Sequence, residues 1–112
     1  MPVLHIHTNI DIDDQPDFLN QASTMLAEAL EKPESYVMIL FSECKTMSFS
    51  GTQEPTAFLE LKSLGLNDSQ TSDLSEKLCL FLEHTLKIDA SRIYIEFSAP
   101  ERAMFGWNKS TF

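Results

Sequence analysis

The stretch Ala57-Phe58-Leu59-Glu60-Leu61-Lys62-Ser63-Leu64, ended by Gly65, repeats at mid-chain a pattern with which the sequence opens. The opening stretch, residues 2–8, alternates between a face formed by Val3, His5 and His7 and a face formed by the residues between them. This alternation is typical of a strand. Each strand is followed by a segment with helical spacing and then by another apolar run. The order β-α-β therefore occurs twice.

The first helix is predicted to begin at Pro16-Asp17 and to stop near Lys32-Pro33, because a proline disfavours helical geometry at the residue before it. The second helix is predicted to be capped by Asp68 or Ser69. Its expected buried stripe consists of Leu74, Leu78, Phe81, Leu82 and Leu86. The apolar run at residues 36–41 predicts a strand buried on both faces, and a short strand is expected around Thr46–Phe49.

The two halves are offset by about 56 residues, with Val3 aligned to Leu59. The strand at residues 92–97 completes the second unit, and the tail at residues 106–112 is expected to add a short edge strand. Right-handed crossovers place four strands in one sheet with both helices on one face. We therefore predict an α+β fold in a single domain, residues 1–112. The other sheet face is expected to be uncovered and largely apolar, which predicts an oligomer.

The composition excludes several classes of function. The formal net charge is −9, from 8 basic and 17 acidic residues, so neither nucleic acid nor an anionic membrane is an expected partner. The three glycines, Gly51, Gly65 and Gly106, lie too far apart for a phosphate-binding loop. Two cysteines and no recognisable signal peptide predict a cytoplasmic protein without a disulfide framework.

Several short fragments follow one another in order along the chain. They are Met1-Pro2-Val3-Leu4, Thr8-Asn9, Lys32-Pro33, Ser50-Gly51, Glu54-Pro55, Ser63-Leu64-Gly65, Arg92-Ile93-Tyr94-Ile95 and Gly106-Trp107-Asn108-Lys109-Ser110-Thr111-Phe112. Together they resemble the macrophage migration inhibitory factor and D-dopachrome tautomerase family. The resemblance implies the tautomerase fold, a homotrimer with active sites between subunits, and cofactor-free keto–enol tautomerase activity on small aromatic keto or enol acids such as phenylpyruvate-like and dopachrome-like compounds.

The chemistry implied by the resemblance depends first on Pro2. If Met1 is removed, Pro2 becomes a secondary amine, whose pKa in model peptides lies not far above neutrality. Burial or a nearby lysine lowers the pKa of such an amine, which suits a base that removes a proton α to a carbonyl. In the family, a lysine at the position of Lys32 binds the substrate acid group. Ser63 lies beside Leu64, whose backbone amide would hold a substrate oxygen.

Other residues match the family's pocket. Tyr94 corresponds to a tyrosine that reaches in from a neighbouring subunit. The remaining candidates for substrate contact are Glu96, Phe105, Trp107 and Phe112. Flat aromatic walls of this kind suit an aromatic substrate.

Glu96 stands where the vertebrate cytokine has asparagine, and it leaves three alternatives open. A carboxylate close to Pro2 would raise the pKa of Pro2 and weaken the base, which favours a cytokine-like trimer with a vestigial site. Glu96 could instead activate water in a hydratase-type reaction, for which Arg92 and Arg102 are the candidate substrate-binding arginines. It could also be a solvated strand residue.

His5 and His7 alternate on one strand face near an acidic turn, Asp11 to Asp14. Zinc sites add a third ligand at recognisable spacing, and the sequence displays none. We therefore expect no metal site and no cofactor.

Overall fold

The computed structural model describes residues 1–112 and contains one four-stranded sheet, two helices and a short hairpin. The elements are β1 (Val3–Thr8), α1 (Gln15–Leu30), β2 (Met38–Glu43), β3 (Ala57–Lys62), α2 (Asp68–Leu86), β4 (Ile93–Ser98), β5 (Gly106–Trp107) and β6 (Ser110–Thr111). The sheet order is β2-β1-β3-β4. β1 runs parallel to β2 and antiparallel to β3, and β3 runs parallel to β4. The predicted pair of β-α-β units and the α+β class are confirmed.

One face of this sheet carries the core. Leu4 and Ile6 of β1 and Leu59 and Leu61 of β3 are completely buried. They form one cluster with apolar side chains of both helices, namely Phe18, Leu26, Leu30, Leu74, Leu78 and Leu82. Both helices therefore pack on the same face, as the alternation of β1 predicts. Neither helix combines the length and the hydropathy required to cross a membrane.

The opposite face, called here the open face, is more polar than expected. The strand register aligns Leu40, His5, Glu60 and Glu96 in one row across the four strands. The neighbouring rows mix charged or polar side chains with apolar ones: Met38, Val3, Lys62 and Ser98 on one side, and Ser42, His7, Phe58 and Tyr94 on the other. The prediction of a largely apolar open face was wrong, because residues 5, 7, 60 and 62 of the central strands alternate towards it as polar side chains.

The helix ends have well-defined caps. Asp14 caps α1 by accepting from the Asp17 N–H at 3.1 Å. Asn67, rather than Asp68 or Ser69, caps α2, and its backbone N–H in turn donates to the Gln70 side chain. This is the reciprocal arrangement of a capping box. The predicted cap was one or two residues too late, because the helical hydrogen bonding begins immediately after Asn67.

Other expectations for the strands need correction. The run at residues 36–41 is not buried on both faces: it enters β2 only at Met38, and β2 is a partly exposed edge strand. Around Thr46–Phe49 there is no strand, only a single bridge between Phe49 and Thr52. The tail pairs with itself as β5 and β6 and does not extend the main sheet. In each case the local sequence suits a strand, but pairing depends on which partner lies alongside.

Candidate functional site

A pocket of about 180 Å³ lies where α1 ends and β3 has just ended. Lys32, Ser63 and Leu64 line this pocket together with Gln70. The structure therefore brings three of the sequence-predicted site residues to one place, although Lys32 precedes β2 in the chain and the other two follow β3.

Local backbone geometry positions these three residues. α1 closes with Glu31 in the left-handed conformation (φ 54°), and the Lys32 N–H donates back to the Ala27 carbonyl at 3.0 Å. After β3, the Ser63 N–H donates to the Ser98 carbonyl at 3.1 Å. Gly65 then turns the chain with φ 78°. The N–H of Leu64 makes no hydrogen bond within the chain, so it is available to a ligand in the pocket.

The N-terminus lies beside the same pocket. Pro2 is fully buried, and the register of β1 and β3 places it opposite Ser63, one step beyond the Val3–Lys62 pair. Burial, followed by the positive charges of Lys32 and Arg102, lowers the pKa of the Met1 amine. While Met1 is attached, the Pro2 nitrogen is an amide without basicity. Removal of Met1 would expose an amine in this same electropositive surrounding.

Four aromatic side chains cluster near this end of the molecule. The Trp107 and Phe112 rings stack with centroids 5.6 Å apart, and the Phe105 ring lies 5.9 Å from that of Phe112. Tyr36 contacts Trp107 edge-on at 5.7 Å. Tyr36 belongs to a 3₁₀ turn, Glu34–Tyr36, that follows Lys32 closely. The aromatic cluster is therefore joined to the segment that carries the lysine.

Tyr94 and Glu96 do not belong to this pocket within one subunit. Tyr94 is 66% exposed on the open face, where it packs against Phe49. Tyr94 pairs with Phe58, at the end of β3 that is farther from the pocket. Ser98, which pairs with Lys62 at the nearer end, lies four residues further along β4. Glu96 is an exposed residue in the middle of the same face. The charged groups that shift the pKa of the N-terminal amine are Lys32 and Arg102, and Glu96 is not among them.

The two arginines differ in role. Arg92 donates to the carbonyls of Pro55, Phe49 and Glu54 at 2.9 to 3.1 Å, and its guanidinium lies over the Phe49 ring. Its donors are therefore engaged in holding the loop before β3. The Arg102 side chain makes no hydrogen bond or ion pair within the chain, and its charge lowers the pKa of the Met1 amine.

A second polar cluster lies on the open face, outside the pocket. His7 Nε2 and Glu60 Oε1 are 2.7 Å apart, and His5 Nδ1 lies 3.9 Å from the same oxygen. Burial lowers the pKa of His5, and the charges of His7 and Lys62 lower it further. The negative charge of Glu60 acts in the opposite direction. The hydrogen bond from His7 lowers the pKa of the Glu60 carboxyl. The cluster thus pairs imidazoles with an ionised carboxylate.

Comparison with known proteins identifies the family. The profile of the macrophage migration inhibitory factor (MIF) family matches residues 1–112. The chain is 40% identical to a macrophage migration inhibitory factor homolog of Brugia malayi over 100% of this chain and 99% of that protein. It is 38% identical to the homolog of Trichinella spiralis, with both chains fully covered. The chain belongs to the MIF family.

Solved structures of MIF proteins share this fold. The homologue from Prochlorococcus marinus superposes with a TM-score of 0.90 at 42% identity, covering 98% of each chain. The Trichinella spiralis protein superposes with a TM-score of 0.92 at 34% identity, covering 98% of this chain and 99% of that one. The family resemblance and the tautomerase fold expected from the sequence are both confirmed.

The sequence does not predict the roles of three residues of this MIF family member. Tyr36 stands at the start of the apolar run at residues 36–41, and its position three residues after Pro33 is the available signal. Arg102 is predicted only as a candidate for a hydratase-type reaction. Glu60 was read as an ordinary strand residue, and its place opposite His5 could have been found only by pairing β1 with β3 in the correct register.

Proposed function

We propose that this chain is a cofactor-free keto–enol tautomerase acting on phenylpyruvate-like or dopachrome-like compounds, with Pro2 as general base after removal of Met1. Membership of the MIF family supports the tautomerase superfamily. The observation that carries the proposal is the position of the buried Pro2 beside the Lys32 pocket, where burial and the charges of Lys32 and Arg102 lower the pKa of the Met1 amine and would act in the same direction on a Pro2 amine. An amine with a lowered pKa is a free base for a larger fraction of chains near neutral pH.

The proposed reaction moves one proton within the substrate. The Pro2 nitrogen uses its lone pair to take the proton from the carbon next to the carbonyl, and the electrons of that C–H bond form the enolate. Negative charge then develops on the carbonyl oxygen, where the Leu64 N–H and the Lys32 ammonium stabilise it. Transfer of the proton from the Pro2 ammonium to this oxygen gives the enol and returns Pro2 to the free base; where water supplies the proton to the oxygen instead, the Pro2 ammonium releases its own proton to solvent. The same steps in reverse convert enol to ketone.

The proposed assembly is a homotrimer with the site between subunits. Tyr94 lies far from the Lys32 pocket of its own subunit, which agrees with a role in a neighbour's pocket. The aromatic cluster of Phe105, Trp107 and Phe112 would form the pocket rim and pack against the flat face of the substrate. Glu96 is proposed as a polar residue near the subunit boundary.

The test compares the processed chain with a Pro2→Gly variant in the tautomerisation of phenylpyruvate. We expect kcat/KM to fall by about 100-fold or more, because a positioned general base contributes about 10²–10⁴-fold. The matched control is Pro16→Gly at the start of α1, which should leave kcat/KM unchanged. Mass spectrometry checks that Met1 is absent from each preparation.

A second variant separates the free amine from the residue itself. Insertion of alanine between Met1 and Pro2 leaves Pro2 in place but turns its nitrogen into an amide, so activity should be lost as in Pro2→Gly. The proposal fails if the processed chain is no faster than buffer, or if the extended chain retains full activity.

A further inference from the structure

We propose that His5, His7 and Glu60 form a binding site for a zinc-class divalent transition metal on the open face of the sheet. One ligand atom from each side chain lies within 4.8 Å of the others. The site uses none of the residues assigned to the tautomerase pocket, so it is independent of the proposed reaction. It would join β1 to β3 through the ion.

The spacing of the donor atoms suits one ion. A tetrahedral zinc ion with bonds of about 2.0–2.2 Å keeps neighbouring ligand atoms about 3.3–3.6 Å apart. The two distances to Glu60 Oε1, 2.7 Å from His7 Nε2 and 3.9 Å from His5 Nδ1, lie on either side of this range. All three ligand atoms lie within 4.8 Å of one another, so side-chain rotations that bring them to this separation would place them around a single centre.

Ser42 supports this arrangement through a hydrogen bond to the His5 ring. Its Oγ lies 2.9 Å from His5 Nε2. When Nε2–H donates to this hydroxyl, the lone pair of His5 is on Nδ1, the nitrogen nearer Glu60. A hydrogen bond that fixes the tautomer and ring orientation of a ligating histidine is a regular feature of metal sites.

The chemistry of the donors defines the class of ion. Two imidazoles and one carboxylate suit zinc, copper or nickel rather than magnesium or calcium, which favour oxygen ligands alone. The three side chains are each only about 30% exposed and stand on paired strands, so their backbones are held in place before an ion arrives. The net charge of −9 also attracts cations to the protein.

The test is a calorimetric titration of the untagged, full-length chain with Zn²⁺. We expect saturable binding of one ion per chain. Ser42→Ala should weaken the affinity by about 10-fold, and His7→Gln and Glu60→Gln should weaken it further. The matched control is His84→Gln on α2, which removes the remaining histidine and should leave the affinity unchanged. A Cys44→Ser, Cys79→Ser variant should also bind normally.

Two further measurements make the outcome independent of folding artefacts. Circular dichroism checks that each variant is folded, and the visible absorption of bound Co²⁺ reports nitrogen and oxygen coordination directly. The proposal is overturned if the unmodified chain shows no saturable binding, if the His7 and Glu60 variants bind as tightly as the unmodified chain, or if replacement of the cysteines or His84 removes the binding. Tautomerase activity does not enter the readout.

Discussion

At the scale of the residue, Lys32 combines two effects on the proposed reaction. Its charge lowers the pKa of the Met1 amine, and the residue lines the pocket in which substrate charge would develop in the proposed reaction. In Lys32→Gln, loss of the positive charge raises the pKa of the amine, so the acid limb of the kcat/KM profile should move to higher pH. Loss of a charged hydrogen bond of about 1.5–3 kcal/mol should also lower the plateau by about 10–100-fold.

The measurement is kcat/KM for phenylpyruvate across the pH range, with Lys77→Gln as control. Lys77 is an exposed lysine on α2 that pairs with Asp73. Its replacement should change neither the limb nor the plateau. An acid limb that stays in place in Lys32→Gln would contradict the assigned electrostatic role.

Replacement of Arg92 should affect stability, whereas replacement of Arg102 should affect the pH dependence of activity. Arg92→Gln removes a side chain that donates to three loop carbonyls, so we expect a loss of about 1–3 kcal/mol in the free energy of unfolding. Arg102→Gln should change that free energy by less than about 0.5 kcal/mol, while moving the acid limb of the activity profile to higher pH. Urea unfolding and pH–rate profiles of both variants measure the two effects. A stability loss in Arg102→Gln together with a shifted acid limb in Arg92→Gln would refute these roles.

At the scale of the element, the N-terminus of α2 depends on one side chain. The Asn67 side-chain oxygen Oδ1 accepts from the Ser69 N–H at 3.1 Å, and the Asn67 N–H donates to Gln70 Oε1. Asn67→Ala should lower the free energy of unfolding by about 1 kcal/mol. The control is Asn20→Ala at an exposed site within α1, where alanine is the better helix former and no loss is expected. Equal effects in the two variants would show that the cap contributes nothing.

The sequence predicted those elements whose pattern is local. The alternation of β1 assigned its faces correctly. The apolar stripe of α2 identified the helix and its buried leucines, Leu74, Leu78 and Leu82, although Phe81 and Leu86 are only partly buried. The exposure of β2 could not be read from its composition, because an apolar run has the same appearance in a central strand and at an edge. The strand expected near Thr46 failed for a related reason, since no neighbour is available to pair with it.

The residues of the candidate site also differ in whether a local stretch of sequence predicts them. Lys32, Ser63 and Leu64 could be predicted as site residues because each stands in a fragment that resembles a known family, and the structure places the three at one pocket. The sequence places His5 and His7 on one strand face but does not show Glu60 beside them, because Glu60 lies more than 50 positions away and meets them through an antiparallel register. Tyr36 was missed because its contact with Trp107 joins two segments that no local pattern connects.

At the scale of the whole molecule, the open face predicts how subunits associate. Leu40 on β2 is 37% exposed there. If this face is covered in a trimer, Leu40→Glu places an unpaired carboxylate at the boundary between subunits and disfavours assembly. Sedimentation velocity should show three times the chain mass for the unmodified protein and a shift towards single chains for Leu40→Glu. Tautomerase activity should fall in parallel because Tyr94 would leave the neighbouring pocket.

Leu80→Glu is the matched control for this prediction. Leu80 is 55% exposed on α2, on the helical side of the sheet. The same substitution there should leave the trimer intact. If Leu40→Glu sediments like the unmodified protein at every concentration, the open face is not the contact surface.

The strict alternation of β1 also limits how this strand can change in length. Leu4 and Ile6 fill the core, while His5 and His7 stand on the opposite side. Deleting one residue between Leu4 and Ile6 would reverse the side chains on one side of the deletion, so that an imidazole would point at the helices or an aliphatic group at the exterior. Deleting an adjacent pair would preserve the sidedness. We therefore expect viable length variants of this segment to differ by even numbers of residues.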